Sequence, residues 1–338
     1  MKAKLFAASL AAILAGGAGA AGEGAKTSLL DRPAPNPENL PNDAYGKLVR
    51  YGHELTTRTF ALIGPEVQDK EKRFAGNNLA CTSCHQDNAT KPYAMPWTGV
   101  SATFPQYRSR EDSISTVEER VNGCMERSMN GRALPLDSPE MKAFVTYIHY
   151  LSRGIPIGAQ LEGAGTKPTK VPERRADLAA GEALYGKTCA ACHGMNGEGQ
   201  RRGKVGDAEG YIFPPLWGND TFNNGAGMNR LLTATRFVKH NMPQGTTHLT
   251  PVLNDEEAYD VVAYVLSKPR PIKASLDKDF PARWNKPVDA AFPPYVDGAS
   301  ADQHRYGPYP PLMEMAKQRA QARNAAVAPQ KPAAEGAK

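Results

Sequence analysis

Apolar residues along this chain recur at helical spacing, and the period-two alternation of half-buried strands is nearly absent. From Asp255 to Ser267, Ala258, Val261, Val262, Val265 and Leu266 share one helix face, and Asn254 with Glu257 forms a capping box ahead of them. The same design occurs earlier over Ser138–Ser152. There Ser138 is the cap, Pro139 opens the first turn, and Met141, Phe144, Val145, Ile148 and Leu151 form the apolar face. Tyr147-Ile148 aligns with Tyr264-Val265. A helix from Asp177 through Gly181 to Tyr185 is expected to cross the 255–267 helix closely, because Gly181 brings no side chain into the contact. Its counterpart in the first half is expected over Asp43–Ile63. These repeats predict two all-α units, each made of an opening helix, a long loop and a closing helix.

The 31 glycines and 28 prolines exceed average usage and fit long Gly/Pro-containing connections, arguing against a barrel or a doubly wound sheet. At roughly 150 residues per domain, 338 residues suit two domains. The Gly-, Pro- and charge-rich segment 158–175 is the expected linker between domains at 27–157 and 176–290. Residues 291–338 are then an extension in which periodicity is lost, and Ala316–Lys338 is expected to be a frayed helix or a disordered tail. Lys2 and Lys4, the apolar run Leu5–Leu14 and Ala18-Gly19-Ala20 read as an export signal cleaved near Ala20, over residues 1–20, which places the mature chain in the periplasm. No apolar run approaches the roughly 18 residues of a membrane span. The 41 basic and 35 acidic residues are interspersed, with no block of like charge, so no nucleic-acid partner is indicated.

The chemistry lies in five cysteines. Cys81-Thr-Ser-Cys84-His85 and Cys189-Ala-Ala-Cys192-His193 both have the spacing for covalent attachment of a c-type haem. In that motif two thiols add to the porphyrin vinyl groups and the adjacent imidazole ligates the iron. A zinc site or disulfides are the alternatives. Two such units in an exported chain predict two covalently bound haem c groups, with His85 and His193 as proximal ligands.

Each iron then needs a partner on its other face. For the second, Met242 in Asn241-Met-Pro243 lies 12 residues ahead of the Asn254 cap and is the expected ligand, giving a relatively high potential. Met195 is too close to His193, and Met228 is a competitor. Met95 follows His85 too soon to reach round the first ring. The equivalent place in the first unit holds Cys124, 14 residues ahead of Ser138, with Met125 and Met129 as alternatives. Cys124 is the one thiol without a motif partner, and its other reading is a buried, inert cysteine. A thiolate lowers the potential of the first iron, so electrons would enter there and leave through the second. Arg110, Arg120 and Arg127 surround Cys124, with Ser128 and Asn130 as uncharged donors. If Arg120, Cys124 and Arg127 share a helix they share a face, making an anion pocket beside a reactive sulfur. That combination predicts a small, anionic, sulfur-reactive substrate.

These segments resemble the thiosulfate dehydrogenase family of dihaem cytochromes c. The likeness rests on both haem motifs, Phe104–Arg110, Glu118–Gly131, Phe213–Gly218 and Asn241-Met-Pro243, within roughly residues 40–310. The first half is also similar to the cytochrome subunit of the sulfur-oxidising multienzyme system. The resemblance implies two cytochrome c-like domains and oxidation of two thiosulfates to tetrathionate, in a reaction that runs in reverse in some members. It also implies electron delivery to an external cytochrome or similar redox protein, and His85/Cys124 ligation at the catalytic haem. Arg110, Arg120 and Ser128 match positions lining the family's substrate pocket. Some members carry Lys where this chain has Asn241, which implies fixed Met242 ligation here. The competing readings are a non-catalytic electron shuttle, a thiosulfate-conjugating subunit and a dihaem peroxidase.

Overall fold

The computed structural model describes residues 26–327; the expected export signal and the last residues of the tail lie outside them. The first half contains strand β1 (Lys26–Ser28), helices α1 (Ala44–Thr57) and α2 (Thr59–Ile63), the single turn α3 (Gln86–Ala89), strands β2 (Gln106–Arg108) and β3 (Ser113–Ser115), and helices α4 (Val117–Met125) and α5 (Pro139–Leu151). Strand β4 (Gln160–Glu162) leads into α6 (Leu178–Thr188), the short α7 (Ala190–His193), strands β5 (Gln200–Arg201) and β6 (Tyr211–Phe213), α8 (Leu231–Asn241) and α9 (Asp255–Ser267). Helices α10 (Ala301–Tyr306) and α11 (Pro310–Val327) follow. The strands make three two-stranded pairs among the described residues, so helices carry the architecture. No described helix is long and apolar enough to cross a membrane.

Two helix crossings define the two units, and both are set by a glycine. A Cβ on Gly181 would lie 2.1 Å from the Asp260 carbonyl oxygen, and one on Gly52 would lie 2.2 Å from that of Ala143. Tyr264 and Tyr147 flank the two crossings, with their Cβ atoms 3.0 and 2.7 Å from those built positions. The internal repeat is thus a repeated backbone contact of α6 on α9 and of α1 on α5. The caps form where the sequence places them. The Ser138 hydroxyl accepts from Met141 N at 3.1 Å, and Asn254 and Glu257 exchange bonds of 2.9 Å.

The expected helix over Asp43–Ile63 is broken at Arg58, whose backbone leaves the helical region. On either side, Thr57 and Thr59 turn their hydroxyls back onto the carbonyls of His53 and Leu55, the local competition that bends helices. The chain beyond residue 290 is more ordered than its pattern indicates. Tyr306, Tyr309 and Leu312 are buried in the core of the second unit, and Tyr306 O accepts from Ala176 N and from the Tyr259 hydroxyl, each at 2.9 Å. Helix α11 runs on to Val327, so the segment from Ala316 is helical as far as it is described. Three prolines among these aromatics hide any period from the sequence. The segment 158–175 pairs β4 in parallel with β1, and Gly163 and Gly165 accept from Tyr93 N and Met95 N.

Replacing Gly52 or Gly181 with Ala should cost about 1–3 kcal/mol through overpacking. The thermal unfolding midpoint of either variant should fall by several degrees; an unchanged midpoint would contradict the close crossing.

Candidate functional site

The first haem motif begins in a short turn held by Thr59, whose hydroxyl accepts from Cys81 N at 3.1 Å and lies 3.4 Å from Cys81 Sγ. His85 N bonds back to Cys81 O, so both thiols and the imidazole project from one turn. His85 Nδ1 donates to the Met95 carbonyl at 2.6 Å, leaving Nε2 available to a metal. Met95 therefore sits on the proximal side, in agreement with its short separation from His85. The second motif repeats this, with His193 Nδ1 donating to the Pro214 carbonyl at 2.8 Å. Burial pushes the thiols of Cys81 and Cys84 up, to about 12 and about 11, and that of Cys189 to about 11. All five cysteines are free of disulfides.

Cys124 lies on α4, started by a capping box in which Thr116 and Glu119 bond reciprocally. Its thiol faces two cations or donors at once. Arg120, one turn earlier, donates from Nη1 to Cys124 Sγ at 2.8 Å, and the His85 imidazole lines the same cavity. Burial alone pushes this thiol up, but Arg120 and His85 outweigh it and bring it down to about 6. Cys124 is thus shifted toward its thiolate form, whereas Cys81, Cys84 and Cys189 are shifted the opposite way. Met125 and Met129, the alternatives to it, belong to the core of the first unit and also line the cavity, but among the described residues neither has a charged partner like Arg120 on its sulfur.

Cys81, Cys84 and His85 line one side of a cavity of about 660 Å³, and Arg120, Cys124 and Ser128 line the other. That volume falls within the range of cofactor sites. Two half-buried thiols, an anchored imidazole and a third sulfur bonded to an arginine make a donor set that fits a covalently attached haem. No group of three or more His, Cys, Asp or Glu side chains placed for a bare metal ion occurs among the described residues.

The arginines divide. Arg120 stays on the sulfur. Helix α4 ends at Met125, so Arg127 lies beyond it and does not continue the face of Arg120 and Cys124 as expected. Arg127 gives Nε and Nη2 to Asp279, at 3.0 and 2.6 Å. Arg110 also lines the cavity, donating from Nη1 to the same carboxylate at 2.6 Å and to Gly225 O at 3.0 Å, with its guanidinium 4.7 Å over the Phe280 ring. Burial and the neighbouring Arg127 push Arg110 down to about 10. Asn130 is occupied at the contact with Asn223, whose amide donates to it at 3.1 Å.

Part of the cavity wall comes from far along the chain, and the sequence reading missed it. Phe222, Met228, Arg230 and Phe280 all line it. Arg230 is paired with the fully buried Asp289 at 2.7 Å. These residues carry no spacing signal; only hydrogen bonds made in the folded state bring them here. Asn77 donates to Thr221 O, Asn78 N donates to Asp220, and Asn223 N donates to Arg127 O. In the second unit, Cys189 caps α7, which contains Cys192 and His193. Met242 caps α8, half-buried, and is not among the residues lining the first cavity.

Comparison with known proteins follows this division. The family described as SoxA/TsdA, cytochrome c domain matches residues 70–157, and the cytochrome c family matches residues 178–268. A thiosulfate dehydrogenase of Allochromatium vinosum is 44% identical over 238 residues, covering 69% of this chain and 82% of its own. One from Psychrobacter arcticus is 40% identical over 248 residues, covering 73% and 71%. Among solved structures, the thiosulfate dehydrogenase TsdBA of Marichromatium purpuratum superposes with a TM-score of 0.63 at 31% identity over 82% of this chain. This chain spans 53% of the length of that one.

Replacing Cys81 and Cys84 with Ala should give a protein whose mass shows one covalent haem in place of two, and replacing Cys189 and Cys192 should do the same at the other site. Two haems retained in either double variant would contradict the assignment.

Proposed function

This chain belongs to the thiosulfate dehydrogenase family, and we propose that it couples two thiosulfates to tetrathionate in the cavity over Cys124 and exports the electrons to an external redox protein in the periplasm. It is a dihaem cytochrome c, with Cys81 and Cys84 attaching one haem and Cys189 and Cys192 the other. The single observation that carries the reading is the Cys124 sulfur held at 2.8 Å by Arg120 Nη1 in the cavity that His85 also lines. In this reading His85 and Cys124 hold the first iron and His193 and Met242 the second. Placing Met228 in the wall of the first cavity supports Met242 over Met228 as the second haem's sixth ligand. Haem iron supplies one-electron acceptance at each site.

The residues of the cavity account for the rest. Two dianions must be brought together, and cationic donors fixed before they arrive offset the repulsion without reorganising. Arg120 is one such donor. Arg110 is another: Nη1 is spent on Asp279 and Gly225, while Nε and Nη2 have no acceptor among the described residues. The Ser128 side chain lines the same cavity as an uncharged donor. The Cys124 thiolate and the sulfane sulfur of the first thiosulfate form an S–S bond and give up two electrons, leaving a cysteine S-thiosulfonate. The sulfane sulfur of a second thiosulfate then attacks the outer sulfur of that bond. Tetrathionate departs and Cys124 returns as a thiolate, stabilised again by Arg120. Atoms balance, and the two electrons released are those of the overall oxidation.

A pure electron shuttle has no use for a cysteine sulfur held by a half-buried arginine. Replacing Cys124 with Gly should leave both haems attached and lower thiosulfate-dependent haem reduction on the order of 10³-fold or more. Near-parent turnover in that variant would exclude the scheme and favour the shuttle.

A further inference from the structure

The segment that follows α9 reaches back to the first unit and is fixed there by several independent contacts. Asp279 is 3% exposed and accepts three hydrogen bonds from two arginines: Nη1 of Arg110, and Nε and Nη2 of Arg127. Its neighbour Phe280 donates its backbone N–H to Arg110 O at 2.8 Å and lays its ring under the Arg110 guanidinium. Arg283 donates to the Asp279 carbonyl at 2.8 Å, closing the turn that presents the carboxylate. Arg110 sits just beyond β2, in the β2–β3 hairpin that overhangs the cavity. That hairpin is small and its Tyr107 and Ile114 are exposed, so it has little packing of its own to fix an arginine.

Resting on the thiosulfate reading, we infer that Asp279 is a positioning residue, a cross-domain strut that aims the unspent donors of Arg110 into the cavity and holds Arg127 fixed in its wall. Arg127 also lies 4.0 and 3.9 Å from Glu111 and Glu126. Arg120 is spent on the Cys124 sulfur and Arg230 on Asp289. The cationic donors left for a substrate are those of Arg110, and they are few and directed. Three loose arginines would bind the dianions more strongly but would not align them, and binding both ground states tightly does not accelerate their joining.

The strut predicts a split in kinetic effects that mere loss of stability would not give. Asp279→Asn keeps the shape and removes the charge. On Coulombic grounds thiosulfate should bind as well as before or better, while lost alignment lowers turnover. Per haem-loaded molecule, kcat should fall on the order of 10- to 100-fold, with KM unchanged or lower. Asp279→Glu keeps the charge but displaces it by one methylene, and should lower kcat less, with KM as in the parent. If Asp279→Asn fails to load haem, Asp279→Glu decides alone. Parent-like kcat and KM in the variants that load haem would overturn the inference. A crystal structure of the haem-loaded parent with Arg110 turned away from Asp279 would overturn it whatever the kinetics. Absence of thiosulfate-dependent haem reduction in the parent would instead overturn the functional reading, and the position of Arg110 in that crystal structure would still judge the strut.

Discussion

The site depends on one charge-assisted hydrogen bond, from Arg120 Nη1 to Cys124 Sγ. A buried thiolate without a partner is costly, and protonation would relieve it at the expense of nucleophilicity and metal affinity. Placing the arginine four residues before the cysteine on a capped helix makes the partner obligatory, because the two side chains share a face wherever α4 forms. His85, anchored by the Met95 carbonyl, faces the same sulfur. The helix, its cap and the proximal turn thus converge on a single sulfur, while the thiols of the attachment motif line the same cavity.

The second unit does more than carry the other haem. It contributes Phe222, Met228 and Arg230 to the wall around Cys124, and the chain after α9 adds Phe280 to that wall and Asp279 as the acceptor of Arg110. The residues immediately following Cys124 are bonded into the second unit through Asn223, which donates from its backbone to Arg127 O and from its side chain to Glu126 O. The Glu66–Arg201 ion pair at 2.5 Å makes a separate connection between the halves. The cavity around Cys124 and the second haem motif are therefore joined by the same interface. A first unit alone would hold its ligands but would lack the carboxylate that orients Arg110.

What the sequence discloses is what local chemistry fixes. The haem motifs are legible because attachment requires that spacing, and Cys124 because every other cysteine has a motif partner. The crossing at Gly181 could be read from a glycine ahead of the tyrosine on an opening helix, and the caps at Ser138 and Asn254 from short-range hydrogen bonding. The break at Arg58 depends on two threonines competing for carbonyls, a balance no periodicity records. Arg127 was expected beside Arg120, but the helix stops two residues too early and a carboxylate 152 residues away claims it. Asp279 and the buried Tyr306 and Tyr309 lie in Pro-rich chain without apolar repeat, so their roles appear only with the tertiary contacts.

The most direct test of the central claim is the ligation state of the two irons in the oxidised protein, read from near-infrared and electron paramagnetic resonance spectra. The account predicts one low-spin haem with a thiolate opposite histidine and one with a thioether. Two haems with thioether ligation, or a first haem open on its distal face with Cys124 away from the metal, would contradict it.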